Sequence, residues 1–135
     1  MLTLDNATQS RQLAITGGGA DGPFVFNDLP FDMERIDQAV SLGATEAWTV
    51  GAGSLISHSF HIHGVQFRLV ARSGDPAKVK PWEQGWKDTF YLPIGETVTF
   101  VTRFDEMADA SYPFMYHCHM INHEDEGLMG QFIVQ

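Results

Sequence analysis

Apolar and polar positions alternate along most of this chain in short runs broken by glycine and proline, which is the pattern of half-buried strands. LAI at 13–15 and FVFN at 24–27 flank the turn-rich TGGGADGP. TEAWTV at 45–50 alternates, and QFRLVA at 66–71 is apolar with one charge. DTFYL at 88–92 and ETVTFVTRF at 96–104 are β-branched and aromatic, and PFMYHC at 113–118 and GQFIV at 130–134 close the pattern. About eight short strands at this spacing predict an all-β antiparallel sandwich or barrel with little helix. Only 31–42, where Met33, Ile36 and Val40 fall loosely in helical register, and 122–127 are expected to hold a helical turn. The stretch RSGDPAKVKPWEQGW at 72–86 reads as a long loop, and its two tryptophans predict that it packs against something.

Composition sharpens the class. The 135 residues fit one domain, and 44% hydrophobic with 12% aromatic content is enough to build a core. A net charge of −9, with the eight basic residues scattered along the chain, argues against nucleic acid and anionic lipid as partners. No apolar run approaches the roughly 18 residues that a membrane helix needs. The opening MLTLDNATQSRQ lacks a basic region followed by an apolar stretch, so no signal peptide is expected and the compartment stays open. A single cysteine excludes an internal disulfide.

That cysteine lies in YHCHMINHEDEGLMG at 116–130, together with three of the six histidines; the other three lie in HSFHIHG at 58–64. A lone histidine is most often a surface or hydrogen-bonded core residue, and a lone cysteine a small buried apolar one. Six histidines confined to HxxHxH and HCHxxxH do not fit that description. If both segments are extended and adjacent, side chains alternate between two faces. His61, His63, His117 and His119 then share one face. His58 and Cys118 share the other, where His123 can join them across a turn. Two imidazoles and one thiolate form the trigonal set that favours an electron-transfer copper. Zinc accepts the same ligands, but a structural zinc site usually has a fourth strong donor, and Leu128, ten residues after Cys118, cannot be one.

These motifs resemble the multicopper oxidase family of laccases, bilirubin oxidases and bacterial copper oxidases. HSFHIHG is similar to the family's H-P-F-H-x-H-G, with Ser59 in place of the proline, and HCHMINHEDEGLM to H-C-H-x-x-x-H-x-x-x-G-[M/L]. GWKDTFYLPIGETVTF and FVFNDLPFDMERID resemble other parts of the family's last domain, so the likeness spans almost all of 1–135.

The resemblance implies a single Greek-key, cupredoxin-like β-sandwich that binds copper. It implies His58, Cys118 and His123 as type 1 ligands, with Leu128 at the axial position, where loss of a thioether donor raises the reduction potential. It implies His61 as a type 2 ligand, His63, His117 and His119 as type 3 ligands, and Glu124 as a proton relay towards the oxygen site, the plain alternative being a solvated loop acid. A full enzyme of this family uses eight cluster histidines to reduce dioxygen with electrons from a small organic or metal-ion reductant, and only four are present here. Oxidase activity therefore requires completion by partner cupredoxin domains or by a homo-oligomer. A stand-alone blue-copper electron carrier is the other expectation. Family members are often secreted or periplasmic.

Overall fold

The computed structural model describes residues 4–16, 25–28, 32, 34–53, 58–104, 114–118 and 129–135. Among these residues ten strands run β1 (Gln9–Thr16), β2 (Val25–Phe26), β3 (Gln38–Val40), β4 (Thr45–Gly51), β5 (His58–Ile62), β6 (Phe67–Arg72), β7 (Thr89–Leu92), β8 (Thr97–Arg103), β9 (Phe114–Cys118) and β10 (Met129–Val134). They form two five-stranded sheets, ordered β2-β1-β4-β8-β6 and β3-β10-β9-β5-β7. Among the described residues helix is limited to three-residue 3-10 turns. The architecture is the expected cupredoxin-like β-sandwich.

Every segment read as a strand from its alternation is one. The two additional strands are β5, which holds the first histidine motif, and β3. The latter corrects the helical expectation for 31–42: its described part carries β3, paired in parallel with β10, in place of a helix. Three residues with one buried apolar side chain, Val40, give no alternation to read, and the pairing is set by distant groups. Gln131 N donates to Asp37 Oδ2 at 2.9 Å, and Asp37 N donates to the Gln131 carbonyl at 3.0 Å. The other helical expectation, 122–127, lies outside the described residues. Nor is the sandwich wholly antiparallel, because β1 also pairs with β4 in parallel.

The two sheets meet through aromatic rings. Trp48 of β4, fully buried, packs edge-on against Tyr116 of β9 at 5.7 Å and Phe132 of β10 at 6.1 Å. Phe60 of β5 lies 5.9 Å from Phe100 of β8. Each such side chain removes enough area from water to stabilise the fold by about 1.5–3 kcal/mol. One acid sits inside this packing. Glu46, 1% exposed, accepts from the Arg11 guanidinium at 2.6 and 3.2 Å and from the Trp48 indole at 3.0 Å, so its charge is matched on every side. The same guanidinium donates to Gln38 and to the Ala39 carbonyl, tying β1, β3 and β4 together.

The loop at 72–86 holds two 3-10 turns, Pro76–Lys78 and Pro81–Glu83. It is fixed by an ion pair between Arg72 and Glu83 rather than by its tryptophans. Trp82 and Trp86 are 77% and 55% exposed, which overturns the expectation that they pack the loop down. The basic residues are also less scattered than expected, since Arg72, Lys78 and Lys80 line one groove beside Trp82 and Tyr91.

Candidate metal centre

Strand β5 is the scaffold of the site. It runs between β9 and the edge strand β7, and its burial alternates strictly. His58, Phe60 and Ile62 are buried in the sandwich, with His58 1% exposed, while Ser59 and His61 lie on the opposite face and are partly exposed. The antiparallel register sets His61 opposite His117, and Phe60 opposite Cys118. Parity along one strand and register across two thus bring imidazoles from 61 and 117 together.

His63 follows just past the end of β5 and joins them. Its amide donates to the Met115 carbonyl at 2.8 Å, which holds the chain against β9. The next residue, Gly64, has φ +83° and lies so close to Phe114 that a Cβ would stand 2.6 Å from the ring. Only glycine suits both conditions, which is the physical content of the glycine closing HSFHIHG.

The outcome is a three-histidine cluster. One ligand nitrogen from each of His61, His63 and His117 lies within 4.8 Å of the others. The ring centroids are 4.9, 5.4 and 5.0 Å apart, and Nε2 of His63 is 2.9 Å from Nε2 of His117. Nitrogens bound to one ion at about 2.0 Å stand roughly 3 Å apart, so this spacing suits a shared or adjacent metal. Three imidazoles also form a donor set appropriate to copper. Beneath the cluster, burial pushes the Tyr116 phenol far above its ordinary value of 10, and the nearby Asp37 charge pushes it the same way.

His61 is held from behind. Its Nδ1 lies 2.8 Å from the Asp88 carbonyl and 2.9 Å from Thr89 Oγ1. Neither Asp88 nor Thr89 stood out among candidate ligands in the sequence. The available signal was a hydroxyl next to a carboxylate at the start of a strand, and it acquires meaning only through the β5–β7 pairing.

Of the remaining expected site residues, His58 is placed in the interior as parity predicts, and the backbone of Cys118 ends β9. His119, His123, Glu124 and Leu128 lie outside the described residues.

The multicopper oxidase family model matches residues 4–135. This chain belongs to the multicopper oxidase family. A multicopper oxidase of Staphylococcus aureus is 34% identical over 122 residues, covering 86% of this chain and 26% of the relative. A cell division protein FtsP of Pectobacterium atrosepticum is 34% identical over 109 residues, covering 81% of this chain and 22% of the relative. A crystal structure of a laccase from Pediococcus acidilactici superposes with a TM-score of 0.86 at 36% identity, covering the whole of this chain and 28% of that one. The chain thus spans about a quarter of the length of the relatives it matches. Copper is the metal of this family, and the three-histidine face of this multicopper oxidase domain is chemically suited to it.

Proposed function

We propose that residues 1–135 act as the final domain of a laccase-like copper oxidase, carrying a type 1 electron-transfer site and half of a three-copper oxygen-reducing site. The observation that carries this reading is the convergence of His61, His63 and His117 within 4.8 Å on one face of a multicopper oxidase domain. A stand-alone electron carrier needs a single copper and gives those three imidazoles no work.

When bound, copper would supply one-electron redox chemistry and an oxygen-binding centre. In this reading His58, Cys118 and His123 would hold the type 1 ion, with Leu128 as an apolar neighbour. His61 serves the type 2 ion, and His63, His117 and His119 the type 3 pair. Cys118 is joined by the backbone to His117 and His119, so the thiolate and the cluster imidazoles share one covalent path. Glu124 holds and delivers a proton on the cluster side. Four histidines of the eight must come from another cupredoxin domain or a second copy of the chain. The reductant is a small organic molecule or a low-valent metal ion and the acceptor is dioxygen. A net charge of −9 favours cationic or neutral reductants at low salt.

Copper-loaded protein is expected to be blue through thiolate-to-copper charge transfer, and Cys118→Ser to lose that band. A colourless wild type with its full complement of copper sinks the type 1 assignment. Leu128→Met is expected to lower the type 1 reduction potential; an unchanged potential means that Leu128 is not axial. Copper content and solution mass on one sample decide between the readings. More than one copper per chain in an assembly supports the oxidase domain, and a single copper on a monomer supports the carrier.

A further inference from the structure

We propose that Thr89, with its hydroxyl oriented by Asp88, is a positioning residue that locks His61 in the tautomer that presents Nε2 to the metal. This deepens the reading above and rests on His61 being a ligand.

The geometry is specific. Strands β5 and β7 pair so that His61 faces Thr89 directly. His61 Nδ1 is 2.8 Å from the Asp88 main-chain oxygen, a group that can only accept, so Nδ1 carries a hydrogen. The same hydrogen reaches Thr89 Oγ1 at 2.9 Å. A threonine hydroxyl can either donate or accept, and left to itself it could turn its proton on the imidazole. Here it donates to Asp88 Oδ1 at 3.0 Å, which leaves its lone pairs facing the ring. The Asp88 carboxylate is 3.7 Å from Nδ1 and bears on the ring through this hydroxyl rather than through its own hydrogen bond.

A neutral imidazole with its proton on Nδ1 has its lone pair on Nε2. Free histidine favours the opposite tautomer, so the strand environment has to impose this one. His63 and His117 also meet through Nε2, so the lock aligns the third donor with the other two. Hydrogen-bond partners of this kind behind a metal-bound imidazole commonly contribute about 10–100-fold to metal affinity. Thr89 suits the role because its β-branched side chain is stiff at χ1 and, being on β7, moves only with the sheet.

The test reads tautomer and affinity separately on the whole chain. Long-range proton–nitrogen NMR of metal-free protein at alkaline pH is expected to show His61 protonated on Nδ1 in the wild type. Thr89→Val keeps the shape of the side chain and removes the hydroxyl acceptor, leaving the Asp88 carbonyl alone to hold the Nδ1 hydrogen. It is expected to yield a mixture of tautomers and about tenfold weaker Cu(II) binding in a competition titration. Thr89→Ser restores both, and Asp88→Ala, which frees the hydroxyl to turn, behaves as Thr89→Val. Circular dichroism verifies that each variant is folded. A wild-type His61 protonated on Nε2, or a folded Thr89→Val with wild-type tautomer and affinity, overturns the lock. His61→Ala with undiminished Cu(II) affinity overturns the ligand reading itself, and the proposal with it, whatever the tautomer result.

Discussion

Gly130 shows how tightly single residues are constrained around the site. It pairs with Tyr116 across β9 and β10, and a Cβ there would overlap the phenol ring. Tyr116 is 1% exposed and packs between Trp48 and Phe26, so it has nowhere to retreat. Gly130→Ala is therefore expected to cost about 2–3 kcal/mol in urea unfolding, while the same change at Gly74, with open space around it, costs less and acts only through its φ of +77°. Equal midpoints for the two variants would show that the ring yields. At this scale the histidines were readable from the chain. HSFHIHG and HCH announce alternation by their spacing, and the structure places His61, His63 and His117 together as parity requires. Thr89 was not readable, because its partner is 28 residues away and the contact exists only in one register.

Among elements, the strands were legible where one face is buried and illegible where pairing relies on polar groups. The outer half of β1 is exposed and polar, and it becomes a strand by lying parallel to β4 under the Arg11 fork. Removing that fork takes away the cation that faces the buried Glu46 carboxyl group. Arg11→Met is expected to destabilise by about 3 kcal/mol in urea unfolding, and a loss of less than about a tenth of that would mean water reaches Glu46.

The loop at 72–86 makes a pH prediction. The guanidinium of Arg72 donates to the Glu83 carboxylate and holds it below its ordinary 4.5, against the opposing effect of burial. A lowered folded value means that the pair contributes its stability above pH 4.5 and loses it as pH falls through the folded value. Wild type is therefore expected to melt higher than Glu83→Gln near neutrality, by an amount equivalent to about 1–3 kcal/mol, with the gap closing below pH 4.5. A gap that persists in acid would assign the effect to packing of the glutamate stem instead.

For the molecule as a whole, the clustered histidines come from β5, the turn after it and β9, so a metal held by them would be coupled to the fold. Binding to the native state alone stabilises it by RT ln(1 + [L]/Kd), about 2.7 kcal/mol at a hundredfold excess over Kd. Copper is expected to raise the melting temperature and a chelator to reverse the gain. An unmoved melting temperature at saturating copper would mean that the unfolded chain binds equally well, and that the fold does not assemble the site. No helix among the described residues is long and apolar enough to cross a membrane. The exposed Trp82 and Tyr91 line one groove together with Lys78, Lys80, Glu83 and Glu96.

The sequence by itself determined the class of the fold, most of its strands, copper as the metal, and the placing of His58 and His61 on opposite faces of β5. Each of these depends on local periodicity or on donor type, and both are properties of short stretches. Only the tertiary structure decided that β3 is a strand, that the loop tryptophans stay exposed, that His61 and His117 share a register, and that Thr89 and Asp88 stand behind His61. Those outcomes rest on pairings between residues far apart in the chain. A one-residue slip in such a pairing would send every side chain of the strand to the other face, so the packed sandwich, and not local preference, selects the register.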